Sequence, residues 1–586
     1  MVTTLVASGI WLDLDRPKTG VLVGAVFLAL ALARRFTGGR FVLEPPPRAC
    51  PWRVGAAACV AVAPIALYLA ATWREEFPFL GDHDYHLGTS WAALDFWSKW
   101  APWVAAGLAL ATAASLFARP RFWPVAAFAV LLGSSLFFAT PSLFARYPAL
   151  GYFIDAPFNQ LFRWFHSPSP LNALRLASAS SVVVWLFVMR PLFLKRWPGP
   201  ELLPFAFYFL YQRDVFYFFT ASYLEPWAIV LALVAVEYTL RECSPPGIAT
   251  LLVGAAAMFK EQAILLLPFV WLAQQLQLRD LRQRLESTFL AAVAATPFVA
   301  YVIFRTASGV WRSFKFAGLR VFDAAHFAEF GRRSLAQFGP SGLLLFPVAL
   351  VALWPLTRQA RHTALVFLAA ALAQATFFFV DELTSSRWIG YPRFHLLAVA
   401  LVGSPLLVAG SRLLESGRTR LFALTCLLIL AIQVPSAIPA FSLTAKPDPA
   451  RNFIEHYDSP VFFPVRQLVR EAEAQKFFTA TNQISVYNPF KDYYFDGMPG
   501  FYPDLARRFR FVFRQQTCRC TKDSAVLILF IYPAGLNENA VHERQFPFDK
   551  SWEPACVEDV YRTCGKVLPA RMPDGSMTGL IGSAPP

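Results

Sequence analysis

Residues 54–73 read VGAAACVAVAPIALYLAATW, an uncharged apolar run with Arg53 before it and Arg74 after it. About twenty such residues are what an α-helix needs to cross the ~30 Å hydrocarbon core of a bilayer. A surface helix of a soluble protein keeps a charged face toward water, and this run has no charge to place there. The stretch therefore reads as a membrane span, and the rest of the chain is read outward from it.

Runs of the same kind follow at 101–118, 124–145, 173–189, 201–218, 226–240, 248–259, 262–274, 288–305, 339–357, 363–380, 396–411 and 421–437, thirteen spans in all. The runs at 248–259 and 262–274 are short for a crossing and imply tilted or broken helices. An apolar run at 20–33 is a further candidate helix within an N-terminal segment, 1–53. Its Ala31-Leu32-Ala33 looks like a signal-peptide cleavage site, but Arg34, Arg35, Arg40, Arg48 and Arg53 follow, and such a cluster resists translocation.

Composition agrees. The chain has 586 residues, 56% of them hydrophobic and 16% charged, against about a quarter charged in soluble domains. Mean hydropathy is +0.44. Many of the 57 Phe and 17 Trp fall near span ends, where aromatic rings settle among lipid headgroups. The net charge of +15 would suggest nucleic acid in a soluble protein; here arginine on cytoplasmic loops accounts for it, and no nucleic-acid partner is expected.

With residue 53 in the cytoplasm, the inner loops hold 19 Lys+Arg in 70 residues and the outer loops 12 in 111. This is the bias that orients polytopic proteins. Acidic residues lean the other way, 5 inside and 12 outside, which gathers carboxylates on the outer face. Thirteen spans leave the polar, Pro-rich tail at 440–586 outside. There 464–478 reads as an amphipathic helix, 507–515 alternates like a strand and 525–532 reads as a buried strand, so a small α/β or α+β domain is expected. Cys518, Cys520, Cys556 and Cys564 lie in it. An even set in an oxidising compartment points to two disulfides, with three possible connectivities. The alternative is a four-cysteine metal site, which the Cys-x-Cys spacing fits poorly. The chain has no Asn-x-Ser/Thr sequon, which favours a bacterial source and hence the inner membrane. It also has no visible repeat and no phosphate-binding glycine motif, so ATP-driven transport and dinucleotide chemistry have no support.

The first outer loop packs Glu75, Glu76, Gly81, Asp82, His83, Asp84, Tyr85 and His86 into twelve residues directly after a span. A solvated loop accounts for Glu75 and Glu76. The convergence of acid, imidazole and phenol from Asp82 to His86 points further, to chemistry. Arg213 and Asp214 lie in the outer half of a span, where charge is expensive. Glu225 opens the next span, Lys260 and Glu261 form an outer hairpin, and Arg393 and His395 adjoin a late span. Each alone reads as a snorkelling interfacial charge; together they line one face at one depth, as an outward-opening site would.

In this order the motifs resemble the GT-C superfamily of membrane glycosyltransferases, which take sugars from polyprenyl-phosphate carriers. Protein O-mannosyltransferases, lipid A aminoarabinose transferases and oligosaccharyltransferase catalytic subunits belong to it. Gly81-Asp82-His83-Asp84-Tyr85 resembles the acidic motif after the first span. Ala156-Pro157-Phe158 through Ser169-Pro170-Leu171-Asn172-Ala173-Leu174-Arg175 resembles a later Pro-rich loop. Ser222-Tyr223-Leu224-Glu225-Pro226 is similar to a Ser-x-x-Glu span opening, and Tyr391-Pro392-Arg393-Phe394 to an Arg-aromatic pair. The likeness covers 54–437. It departs in reading Asp-His-Asp for the usual Asp-Glu, and in an extra pair of spans, 101–118 and 124–145.

The resemblance implies an all-α polytopic catalytic domain and inverting hexosyl or pentosyl transfer on the extracytoplasmic side. The donor would be a polyprenyl-phosphate-linked sugar and the acceptor a glycan, lipid or protein. The phosphate leaves readily, so the enzyme must mainly activate the acceptor hydroxyl, a task for Asp82 assisted by Asp84. Lys260, Arg393 and Arg213 would hold the phosphate, with His83, His86, Glu225 and Glu261 beside them in the substrate site. A metal-free site is expected, with Asp82, Asp84 and His86 as the ligands in the alternative that uses a divalent ion. Two competing classes remain. A secondary transporter or flippase would bind near the bilayer midplane, and a non-enzymatic membrane anchor for the tail would need no convergence of these charges.

Overall fold

The computed structural model describes residues 50–71, 73, 158, 170–220, 224–243, 247–307, 344–385, 392–437, 465–478, 483–487, 508–513, 518–521, 524–529, 552–571 and 577–584. The candidate helix at 20–33, the spans at 101–118 and 124–145 and the first outer loop lie outside them.

The body is helical. Helix α1 is Pro51–Ala71, and α2 is Pro170–Val184, prolonged by a π-helical stretch, Trp185–Leu194. There follow α3 (Leu203–Phe209), α4 (Arg213–Thr220), α5 (Glu225–Leu240), α6 (Ile248–Ala257), a 3₁₀ turn at Glu261–Leu266, and α7 (Leu267–Gln277). Next come α8 (Leu281–Ala307), α9 (Arg358–Ser385), α10 (Pro392–Val402), α11 (Leu406–Glu415) and α12 (Thr419–Ala437). Among the described residues three helical stretches are long and apolar enough to cross a membrane: Pro51–Ala70, Asn172–Leu194 and His395–Glu415.

Large apolar side chains face outward as well as inward. Leu424, Leu427 and Leu428 of α12, Leu365 and Leu372 of α9, Leu281 and Leu285 of α8, and Leu344, Val351 and Trp354 are exposed. So much exposed aliphatic surface is unfavourable in water and neutral against lipid. By contrast α5 is apolar all round between Glu225 and Glu237 and buried along its whole length.

The run at 201–218 departs from one continuous span. It breaks at Leu210–Gln212, between α3 and α4. The break frees the Tyr208 carbonyl, which accepts from Gln433 Nε2 at 2.7 Å and Gln212 Nε2 at 3.0 Å. Tyr211 donates to the Val60 carbonyl, midway along α1, at 2.8 Å. Broken helices persist in a bundle only when side chains satisfy the freed backbone in this way. The run at 173–189 extends to Leu194, and its wider turns run from Trp185 to Leu194 and contain Pro191, which has no N–H to donate. The run at 396–411 is interrupted at Gly403–Pro405, where a side chain at Gly403 would collide with the Tyr208 ring. The short runs at 248–259 and 262–274 are α6 and the 3₁₀ turn leading into α7.

The tail forms a small mixed sheet. Helix α13 (Val465–Ala474) is followed by β1 (Gln483–Tyr487), β2 (Arg510–Phe513), β3 (Ser524–Leu529), α14 (Trp552–Thr563), β4 (Lys566–Arg571) and β5 (Met577–Ser583). The strand order is β2-β1-β3-β5-β4. Strands β2, β1 and β3 are parallel, and β5 and β4 add antiparallel. Successive strand residues face opposite sides. Val526 and Leu580 pack with Cys556 and Val560 of α14, while Ala525 and Ile581 join the cluster that holds Leu468, Val469 and Ala472 of α13. Disulfides join Cys518 to Cys556 and Cys520 to Cys564, with Cα atoms 5.2 Å apart in each pair. They tie α14 to the chain that leads into β3.

Candidate functional site

Two buried charge clusters mark the two ends of α5. At its start Pro226 fixes the first turn, where an acid is also favoured by the helix dipole. Glu225 there is buried, and Oε1 lies 3.3 Å from Lys260 Nζ. Lys260 reaches it because α6 ends at Ala257 and the chain turns extended at Lys260, with φ −147° and ψ 121°. The stretch that follows starts at Glu261, whose Oε2 has no hydrogen-bond partner among the described residues. Trp227, two residues after Glu225, stacks on Phe259, one residue before Lys260, with centroids 6.0 Å apart and planes 19° from parallel. Ring stack and ion pair therefore join the same two segments.

Arg175, in α2, is fully buried. It donates from Nε to the Thr220 carbonyl at 2.8 Å and from Nη1 to Asn172 Oδ1 at 3.3 Å. Thr220 is the last residue of α4, so the guanidinium caps that helix end just ahead of Glu225. His395, near the start of α10, is also buried.

At the far end of α5, roughly 18 Å along the axis from Glu225, Glu237 forms ion pairs with two arginines and accepts a hydrogen bond from one of them, Arg241. Arg190 Nη1 lies 3.0 Å from Oε2, and Arg241 Nε lies 2.8 Å from Oε1. Arg241 also donates to the Leu407 carbonyl at 2.9 Å and to Ser411 Oγ at 3.1 Å. Gln277 donates to the Thr239 carbonyl and to Thr363 Oγ1, both at 2.9 Å. These bonds stitch α5, α7, α9, α11 and the π-helical stretch together. Burial and the neighbouring Glu237 push the Cys243 thiol just beyond this end up to about 11.

Of the residues singled out from sequence, Glu225 and Lys260 are brought into contact and Glu261 sits beside them. Lys260 is buried and paired, not snorkelling. Arg213 opens α4, which puts its backbone roughly 10 Å along that helix from Thr220. Arg393 lies in the first turn of α10. The side chains of Arg213 and Arg393, and all of Asp82, His83, Asp84 and His86, lie outside the described residues. Among the described residues no group of three or more His, Cys, Asp or Glu is arranged to hold a metal ion. Sequence reasoning passed over Glu237 and Trp227. The signal for Glu237 was present, since an acid inside an apolar span is a functional candidate by default. Trp227 gave none beyond its position in the Glu225 turn.

Comparison with protein-family models, with curated proteins and with solved structures finds no match for this chain.

Proposed function

We propose that the protein is an inverting glycosyltransferase of the GT-C kind, moving a sugar from a polyprenyl-phosphate carrier to an acceptor hydroxyl outside the membrane. The observation that carries the reading is the buried Glu225–Lys260 pair. Its residues stand 35 positions apart in the sequence, one in the Ser-x-x-Glu motif and one assigned to phosphate, and the fold joins them at a helix end. In this reading Asp82 takes the acceptor proton, the acceptor oxygen bonds to the sugar's anomeric carbon, and the carrier phosphate leaves with the electron pair of the broken C–O bond. Lys260, with Arg393 and Arg213, stabilises the phosphate as its charge develops. Thirteen spans would carry this site in a bacterial inner membrane, with the disulfide-bonded tail outside. In support of that alternation, Arg190, Arg241, Ser411, Gln277 and Thr363, all assigned to inner ends, interact at one end of α5, and Lys260 meets Glu225 at the other.

Purified protein offered a panel of polyprenyl-phosphate sugars should release polyprenyl phosphate with at least one of them. A panel that is neither bound nor turned over sinks the reading. One observation favours the second class, a transporter or flippase: the break at Leu210–Gln212 gives α4 an N-terminus near the middle of α1 in depth, a place where transporters hold substrate. Uptake or lipid translocation in proteoliposomes without glycosyl transfer would select it.

A further inference from the structure

The Trp227 indole is buried to 5% exposure, and its Nε1–H has no hydrogen-bond acceptor among the described residues. A buried donor left unmatched is destabilising, and native structures keep few of them without a reason. Trp227 stands two residues after Glu225 in the first turn of α5, and its ring is stacked on Phe259, next to Lys260. An indole N–H donates only, and so does an ammonium. A group that only accepts, and carries negative charge, is the complement of both. We propose that Trp227 Nε1–H donates to a phosphate oxygen of the ligand that Lys260 holds, making Trp227 a binding residue of the donor site. The phosphate would compete with Glu225 for the Lys260 ammonium, and the rigid stack on Phe259 would hold the N–H in place while that exchange occurs. This rests on the glycosyl-transfer reading above.

The test uses full-length protein in lipid nanodiscs, with polyprenyl phosphate, polyprenol and inorganic phosphate as probes. Trp227→Phe keeps a ring for the stack and deletes the N–H. Its affinity for polyprenyl phosphate should fall about tenfold, the size expected for one hydrogen bond to a charged group. The melting temperature without ligand monitors folding, and the ligand-induced increment carries the test. Trp227→His keeps a ring N–H and should stay within about threefold of wild type, which a merely structural loss would not allow. Competition by inorganic phosphate that weakens in Trp227→Phe would place the same donor on phosphate without its lipid, and supports the inference. Equal polyprenyl-phosphate affinity in wild type and Trp227→Phe overturns it and leaves the glycosyl-transfer reading standing. A wild type that binds polyprenyl phosphate no more tightly than polyprenol overturns both.

Discussion

Lys260 Nζ lies 3.3 Å from Glu225 Oε1 with both side chains buried. Desolvating two charges cancels much of their attraction, so such a pair does little for stability by itself, while removing one leaves the other buried without this counter-charge. Lys260→Met or Glu225→Gln alone should therefore destabilise the protein by about 3–5 kcal/mol, and the double variant should recover most of that loss. Thermal unfolding in detergent measures it. A double variant as unstable as the sum of the singles would mean that the charges act independently. In the proposed function, every variant that lacks Lys260 also loses donor affinity, whatever its stability.

The Arg190–Glu237–Arg241 cluster predicts a different pattern. Glu237 is the acid both guanidiniums share, and Arg190 is fully buried. Glu237→Ala leaves the buried Arg190 facing the partly buried Arg241 with no shared acid, and should cost about 3–5 kcal/mol. Arg190→Leu leaves Glu237 with Arg241 and should cost clearly less. Expression and melting temperature of the two variants order them. The reverse order would show that Arg190, not Glu237, organises this end.

What the sequence revealed follows from which residues act locally. The run at 54–73 announces a helix because lipid and bundle both accept it apolar. The break at Leu210–Gln212 is silent, because Phe207, Tyr208 and Phe209 continue the apolar pattern and the amide that satisfies Tyr208, Gln433, is 225 residues away. Charge pairs are half legible: a lone acid in a span shows, but its partner does not. In the tail, α13, β2 and β3 were readable from their periodicity. Strand β4 was not, because Pro569 argues against a strand; it is accommodated since β4 lies at the sheet edge. Gly582 similarly weakens the β5 pattern, yet a side chain there would press on Cys564 Sγ at 2.7 Å.

The disulfides are specified pair by pair. Peptide mapping without reductant should recover Cys518 linked to Cys556 and Cys520 linked to Cys564. The linked residues are 38 and 44 positions apart, so each bond should stabilise the tail by about 4 kcal/mol on the chain-entropy account. Reductant should accordingly lower the unfolding temperature of the tail. Four free thiols, or stoichiometric zinc in their place, would contradict the pairing.

Cys243 should resist alkylation. With its thiol pushed up to about 11, about one molecule in a thousand carries the thiolate at pH 8. Labelling of intact protein at pH 8 should reach exposed Cys50 well before Cys243. The Cys243 rate should climb about tenfold for each pH unit up to about 11. A fast rate at pH 7 would mean that the thiol is more open to water than described.

The proposed glycosyl transfer is tested at Asp82. It holds the leading acid position in the outer-loop motif, after Gly81. A carrier phosphate leaves readily, so the step that needs help is removal of the acceptor proton. Asp82→Asn preserves shape and cannot take that proton. Turnover should fall about a hundredfold or more, with melting temperature and polyprenyl-phosphate affinity unchanged, because the cations proposed to hold the phosphate are unaltered. Near-normal turnover in Asp82→Asn, with the loss in Asp84→Asn, would move the base two residues along. Near-normal turnover in both would take the loop out of the reaction. An apparent affinity that falls while turnover holds would instead make Asp82 a binding group, since a base acts on the rate and a ligand contact on occupancy.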